Sequence, residues 1–398
     1  MQFVSESPYF FGIIILLIGF FSGLSLSDFF SSGRKKKVDT SGSDALAYLS
    51  GINYILADEP DKAIEEFSKA VQINSDTVET YTALGNLYRS KGELARAIRI
   101  HQSIIFRPNI DAETKLQAHY DLSLDYKKAG FVERAINSFE EVVKMDSRRL
   151  DAYIQLLDLY EDIRDWEKAY QTQLKISKLR KSDDSHVLAH HQTEMAKSLL
   201  DNGHDALAKK AFKKAISHDP RCIDAYLHLG DLLFAEENFN KAIETWKKIM
   251  EIAPDYTYLA YSRLEEAYFK LNQFGQMEKI LRANSKRNLN DIHTHLALAE
   301  YLYKKNKLPE AIAELNKVIE LRPAHVKARE MLGTYYMEQG KEAEAFKLYQ
   351  SIFAYLPSPG ENYQCSDCGY EAKSLSWRCP QCRKWDRMKE KGLPLRQT

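Results

Sequence analysis

The chain has 398 residues, with 56 Lys+Arg balanced by 56 Asp+Glu, 44% hydrophobic residues, and only 17 glycines and 11 prolines. That composition excludes collagenous, disordered and mucin-like chains, and the zero net charge gives no general pull toward nucleic acid, so no nucleic-acid partner is expected. Five cysteines are too few for a disulfide-built scaffold, and four of them crowd between Cys365 and Cys382, which points to metal rather than cross-links.

From Phe10 to Leu26 the sequence FFGIIILLIGFFSGLSL carries no charge. A helix needs about 20 residues to cross roughly 30 Å of hydrocarbon, and Tyr9, Phe29 and Phe30 extend the run into the interface, so residues 9–30 read as a transmembrane anchor. A cleaved signal peptide carries its basic residues before the apolar run and a small-x-small site after it. Here Arg34, Lys35, Lys36 and Lys37 follow the run instead, which places the C-terminal side in the cytoplasm. Gly19 and Gly23 stand four apart, with Gly12, Ser22 and Ser25 nearby, so the segment offers a small-residue face for another helix; plain lipid anchoring is the simpler use of it. Residues 31–44, polar and without an apolar period, read as a basic flexible tether.

After Asp44 one pattern recurs at close to 34 residues, the period of tetratricopeptide repeats, each a pair of antiparallel helices. Its first copy has Gly51, Tyr54, Ala63, Phe67 and Ala70, its second Leu84, Gly85, Tyr88 and Ala97. The third, with Tyr126, Ala135 and Phe139, arrives four residues late. Further copies carry Tyr160 and Ala169; Ala208, Phe212, Ala215 and Pro220; Gly230, Ala242, Trp246 and Pro254; a degenerate stretch around Tyr268; Ala299, Ala311 and Pro323; and Gly333, Tyr336, Ala345 and Pro357. Nine units fit between residues 45 and 357. The fold expected is therefore all-α, a superhelical solenoid in which glycine or alanine lets paired helices touch and the aromatics fill the core.

Such an array binds through its concave face. Counting from the small residue, Asn86, Arg89, Asp158, Glu161 and Asp231 are expected to be exposed there as partner-binding residues, and their mixed signs do not make a clamp for a peptide carboxylate. His186, His190 and Glu194 share a helix face at metal-ligand spacing, but a satisfied or solvated histidine pair is the plainer reading. Cys222 reads as an ordinary small residue. No phosphate loop, nucleophile elbow or nucleophile with a base is present, so no catalytic residue is assigned and no enzyme is expected.

Residues 363–388, YQCSDCGYEAKSLSWRCPQCRKWDRM, contain Cys365-x-x-Cys368 and Cys379-x-x-Cys382. In each C-x-x-C turn two sulfurs face one centre, and two such knuckles complete a tetrahedral four-thiolate site for one ion. Spacing alone does not choose between zinc and iron. Gly369 relieves the first turn and Pro380 stiffens the second, while Tyr363, Tyr370, Trp377 and Trp385 are the aromatics placed to shield the sulfurs. The module spans residues 360–390, too few for much core, so metal binding and folding are one event.

The two knuckles resemble those of rubredoxin, with a shorter stretch between them and Arg383 where rubredoxin has glycine; electron transfer is the alternative of another class. An anchor, a basic flank, nine repeats and Trp377-x-Cys379-Pro380-x-Cys382-x-x-Trp385-Asp386 together resemble the lipopolysaccharide assembly protein B family (LapB, also called YciM). That resemblance implies a single-pass inner-membrane adaptor, N-terminus in the periplasm and bulk in the cytoplasm, which restrains lipopolysaccharide synthesis by bringing the LpxC deacetylase to the FtsH membrane protease. It implies iron or zinc in the knuckles and a module that packs back on the repeats. Other lipopolysaccharide assembly proteins as partners, gathered on the same scaffold without proteolysis, form the second expectation, and a homodimer through Gly19 and Gly23 the third.

Overall fold

A computed structural model describes residues 43–73, 77–355 and 363–391. The expected anchor at 9–30, with Gly19 and Gly23, and nearly all of the tether lie outside the described residues, and no described helix is long and apolar enough to cross a membrane. The chain divides into two compact units, residues 1–152 and 153–398.

The first unit holds α1 (Ser43–Leu56), α2 (Pro60–Ile73), α3 (Val78–Ser90), α4 (Leu94–Ile105), α5 (Ala112–Lys128) and α6 (Val132–Met145). Helix α7 (Leu150–Asp162) starts at the junction. The second unit continues with α8 (Trp166–Arg180), α9 (Ser185–Asp201), α10 (Asp205–His218), α11 (Ile223–Ala235), α12 (Phe239–Ile252), α13 (Tyr258–Lys270), α14 (Gln276–Arg287), α15 (Ile292–Lys304), α16 (Leu308–Leu321), α17 (Val326–Glu338) and α18 (Glu342–Tyr355). Odd and even helices pair, so nine helical hairpins are present among the described residues, including one over the degenerate stretch around Tyr268. After them β1 (Tyr363–Cys365), β2 (Glu371–Ala372) and β3 (Met388–Glu390) form an antiparallel sheet in the order β2-β1-β3.

One turn recurs in all nine hairpins. Each first helix ends with a residue in the left-handed region: Asp58, Gly92, Gly130, Arg164, Gly203, Glu237, Asn272, Asn306 and Gly340. The next residue then donates its N–H back over the last turn, as Glu59 does to the Tyr54 carbonyl at 2.9 Å, Asp165 to Tyr160 at 2.9 Å and Lys341 to Tyr336 at 2.9 Å. This is the Schellman closure, which satisfies carbonyls that the helix end leaves without donors. The repeated tyrosines thus sit where six of the first helices are stopped and reversed, and Leu199, Leu233 and Leu302 take that place in the other three.

Within a hairpin the contact is steric. A Cβ placed on Gly51 would lie 2.6 Å from the Phe67 ring and one on Gly333 2.8 Å from the Tyr349 ring; Gly85 meets His101 and Gly230 meets Trp246 in the same way, always sixteen residues on. Phe67, Phe139, Phe212 and Trp246 are fully buried. The Trp246 indole is also held by its N–H, which donates to the Leu227 carbonyl at 3.1 Å, so it cannot retreat without losing a buried bond.

A glycine-to-alanine change inside a helix ordinarily stabilises by about 1 kcal/mol. At Gly230 the sign should reverse, because overpacking costs about 1–3 kcal/mol. Thermal unfolding of Gly230→Ala is therefore expected at a lower midpoint than for the unaltered chain; a higher midpoint would show that the indole moves aside freely.

Candidate metal centre

The two C-x-x-C segments are built alike. Cys365 donates its N–H to the Tyr370 carbonyl at 2.7 Å and accepts from the Gly369 N–H at 3.0 Å; Cys379 donates to the Lys384 carbonyl at 2.9 Å and accepts from the Arg383 N–H at 2.9 Å. Both closing residues are left-handed, Gly369 at φ 76° and Arg383 at φ 62°. Glycine adopts that conformation freely, whereas an arginine there costs about 1–2 kcal/mol. Its side chain offsets the cost by reaching the repeat array, as described below.

The four ligand sulfurs lie within 4.8 Å of one another. Cys365 Sγ stands 3.6 Å from Cys382 Sγ and Cys368 Sγ 3.7 Å from Cys379 Sγ. No pair is bonded, since a disulfide holds its sulfurs about 2.05 Å apart. Four sulfurs about 2.3 Å from a central ion form a tetrahedron with edges of about 3.8 Å, so the donor set fits one thiophilic ion. The thiol chemistry agrees. Burial pushes Cys365 up, but the Cys368 and Asp367 backbone N–H groups outweigh it and bring the thiol down to about 7. Burial, reinforced by the neighbouring sulfurs, drives Cys382 up to about 12. Four thiolates cannot share this space without a cation to balance them. All four ligands come from the chain, which leaves a bound ion no open coordination position for substrate or water.

The tryptophans do not shield the sulfurs as expected. Tyr363, Tyr370, Leu375 and Met388 pack there. Trp377 packs, partly buried, against the apolar core of the repeats, and Trp385 stacks on His190 of α9, ring centroids 4.6 Å apart. The indoles face the array because it, and not the small module, supplies a surface large enough to bury them.

Polar contacts lock that seat. His190 donates from Nε2 to both oxygens of Asp386 at 2.9 Å. Arg378 pairs with Glu161, which also accepts from His191 Nε2 at 2.7 Å. Arg383 donates to Asp162 Oδ2 at 3.0 Å and to the Asp158 carbonyl at 2.7 Å. At the other end Glu390 accepts from His293 Nε2 at 2.8 Å and from Arg322 at 3.4 Å, and Lys389 donates to the Tyr256 hydroxyl at 3.1 Å. The module is thus seated on α7, α9, the turn before α13, α15 and the turn after α16.

The open face expected for two acidic residues changes accordingly. Glu161 was expected on an exposed face; it is buried, because Arg378 and His191 cover it, and Asp158 is engaged by Arg383. In keeping with the plainer reading of their spacing, His186, His190 and Glu194 do not converge: His190 serves Asp386, and Glu194 pairs with Lys197. Asp231 pairs with Arg263 at 2.6 Å. Asn86 and Arg89 belong to a network in the first unit, where Arg89 reaches Asp121 and Asp125 at 3.0 Å and Asn86 accepts from Arg89 at 2.5 Å. Both still line an open cleft of about 630 Å³ with Ser90, Leu124, Lys127 and Lys128. The seating residues Asp162, His293, Arg322 and Glu390 left no signal in the sequence, having neither motif nor period.

Hairpin repeats carrying a docked four-cysteine module define a tetratricopeptide repeat protein with a C-terminal metal-binding module. Residues 363–390 match the family described as rubredoxin metal binding domain, and residues 199–265 and 296–355 match families described as tetratricopeptide repeat. Lipopolysaccharide assembly protein B of Haemophilus influenzae is 30% identical over 370 residues, covering 90% of this chain and 92% of that protein. The protein of the same name from Escherichia coli strain K12 is 26% identical over 361 residues, covering 90% and 92%. A solved tetratricopeptide repeat protein from Parabacteroides merdae is 14% identical, with a TM-score of 0.34, over 74% of this chain and 99% of its own. The chain belongs to the lipopolysaccharide assembly protein B family.

Cys379→Ser should release the ion and undock the module. Trp377 and Trp385 fluorescence and near-UV circular dichroism are expected to change toward those of exposed indoles, while far-UV helicity is nearly unaltered; a large loss of helicity would show that the array depends on the module to fold.

The Glu390 seat gives a pH dependence. Burial raises this carboxyl, but the bonds from His293 and the charge of Arg322 outweigh it and hold it below the ordinary value of 4.5. Its stabilising effect is therefore complete above pH 4.5 and is lost as pH falls through its depressed value. In Glu390→Gln that part of the acid transition should vanish. The difference between the two fluorescence titrations isolates it from acid-driven loss of the ion, and coincident curves would show that the carboxylate contributes nothing.

Proposed function

We propose that this chain is a non-enzymatic, membrane-anchored adaptor in lipopolysaccharide assembly, which restrains synthesis by presenting the LpxC deacetylase to the FtsH protease. The observation that carries the reading is the seat of the metal module: every ligand is a cysteine of the chain, and the surrounding arginines, histidines and tryptophans hold the module to the repeats instead of opening it toward a reactant. Such a centre acts as a structural clasp, with zinc or iron equally suited to four thiolates. The similarity to lipopolysaccharide assembly protein B along nine-tenths of the chain supports the pathway.

In this reading residues 9–30 span the inner membrane, the N-terminus is periplasmic and the repeats are cytoplasmic. Tethering a substrate-binding array beside a membrane protease raises the effective concentration of one partner at the other without chemistry in the adaptor. The cleft at Asn86 and Arg89 is a partner-binding surface on the array, and Gly19 and Gly23 serve a membrane partner. A platform that gathers lipopolysaccharide assembly proteins without directing proteolysis is the second reading, favoured by the relatives' name, which speaks of assembly.

The half-life of LpxC separates the two. In cells lacking the protein LpxC should persist several-fold longer; the full chain should restore its turnover, and a chain starting at Gly42 should not. Unchanged LpxC turnover without the protein would leave the platform reading in its place, and restoration by the shortened chain would remove the need for an anchor.

A further inference from the structure

Within each unit, the first helix of a later hairpin presents one face to the hairpin before it. Asp121 and Asp125 of α5 meet Arg89 and His101 of the second hairpin, and Lys128 of α5 donates to the Arg89 carbonyl at 2.7 Å. Arg263 of α13 meets Asp231, and Thr294 of α15 meets the Tyr261 hydroxyl at 2.5 Å. Relative to the small residue of each repeat, these contacts use positions five before, two before, two after and five after. The position five before is buried in the later hairpins: Thr80, Ala118, His191, Ala225, Ala260, Thr294 and Ala328 are between 0 and 2% exposed.

On α1 the same four positions are Leu46, Leu49, Asn53 and Leu56. No hairpin precedes them among the described residues, and Leu46, Leu49 and Leu56 are 67, 57 and 80% exposed. Terminal repeats of a solenoid need a polar outer face to stay soluble. This one is apolar, with a shape that elsewhere in the same chain accepts a helix.

We propose that this face pairs with α1 of a second copy of the chain, as a parallel two-helix contact about a two-fold axis. The spacing 3-4-3 from Leu46 to Leu56 is that of a coiled-coil seam, with leucines flanking one polar residue. A lone asparagine in such a seam meets its own counterpart and fixes register and strand number, because each amide satisfies the other. Against lipid the Asn53 amide would be buried without a partner, so a bilayer surface suits the stripe less well. End-to-end stacking of one chain's last hairpin on the next chain's first would not close and would build filaments. A parallel pair instead brings both Ser43 ends out on the same side, as two chains rooted in one membrane require. The helix is only 14 residues, about 21 Å. So small a contact falls short of the roughly 1,000 Å² of a stable interface, and the dimer relies on the shared membrane to concentrate the two copies. In that respect the inference rests on the anchor proposed above.

The test is oxidative cross-linking of the full chain in native membranes. Asn53→Cys is expected to form a disulfide-linked dimer at least several-fold above both Glu65→Cys, on the exposed side of α2, and the unaltered chain. Adding Leu49→Glu should abolish it, and since Leu49 is exposed the fold should survive, as far-UV circular dichroism can verify. Asn53→Leu, read by the size of the detergent-solubilised chain, should shift it further toward a dimer or a higher oligomer. Cross-linking no greater than at Glu65→Cys, or cross-linking indifferent to Leu49→Glu, would overturn the proposal. So would burial of a probe at Leu49→Cys by lipid vesicles without any cross-link. Fractionation of the same cells distinguishes the causes: a chain missing from the membrane fraction would mark failure of the anchor, and a membrane-bound chain without cross-link would mark failure of the α1 contact.

Discussion

The structure depends on how closely two helices of a hairpin can approach. Wherever glycine occupies the first helix, an aromatic ring from the second fills the place where a side chain would begin, as at Gly51 with Phe67 and Gly230 with Trp246. That contact sets the distance within each pair, and the left-handed turn that closes the pair sets its direction. Stacking then needs only faces of matching polarity. Some are apolar and some are charged, as where Arg89 bridges to Asp121 and Asp125.

The metal module inverts the usual relation between a small domain and its ion. A folded unit of some thirty residues cannot enclose its own tryptophans, so it lends them to the array: Trp385 lies flat on His190, and Trp377 packs against the core of the repeats. The ion organises the sulfurs, and the sulfurs organise the two turns from which Arg378 and Arg383 reach α7. The charges are matched in both directions: Arg378 and Arg383 meet carboxylates of α7, while the module's Asp386 and Glu390 meet His190, His293 and Arg322 of the repeats.

Much of this was legible in the sequence, for local reasons. The period of 34, the tyrosine three residues after the small residue and the four-cysteine spacing are each fixed within one turn or one hairpin. Even the degenerate unit around Tyr268 kept the tyrosine at its turn. The left-handed residues were not legible, since Asp58, Arg164, Glu237, Asn272 and Asn306 are held in that conformation by the turn although glycine suits it better, and composition gives no warning. The seat of the module was hidden for a different reason. His190 and Asp386 are separated by 196 residues, and a contact at such range follows from how hairpins stack, not from any spacing. Glu161 looked like a residue of an open face because its repeat position is open in principle; the chain's own C-terminus covers it.

Arg383 carries a further consequence. A backbone corner that suits glycine has been given to the residue whose side chain grips Asp162, so the knuckle is slightly uncomfortable by itself and at ease only in its seat. Transplanted to another protein, the C-terminal thirty residues would keep their affinity for an ion yet lose the counter-charges that make arginine tolerable at that corner. The piece is therefore matched to one host, and any variation at α7 has to be answered at the other end of the chain.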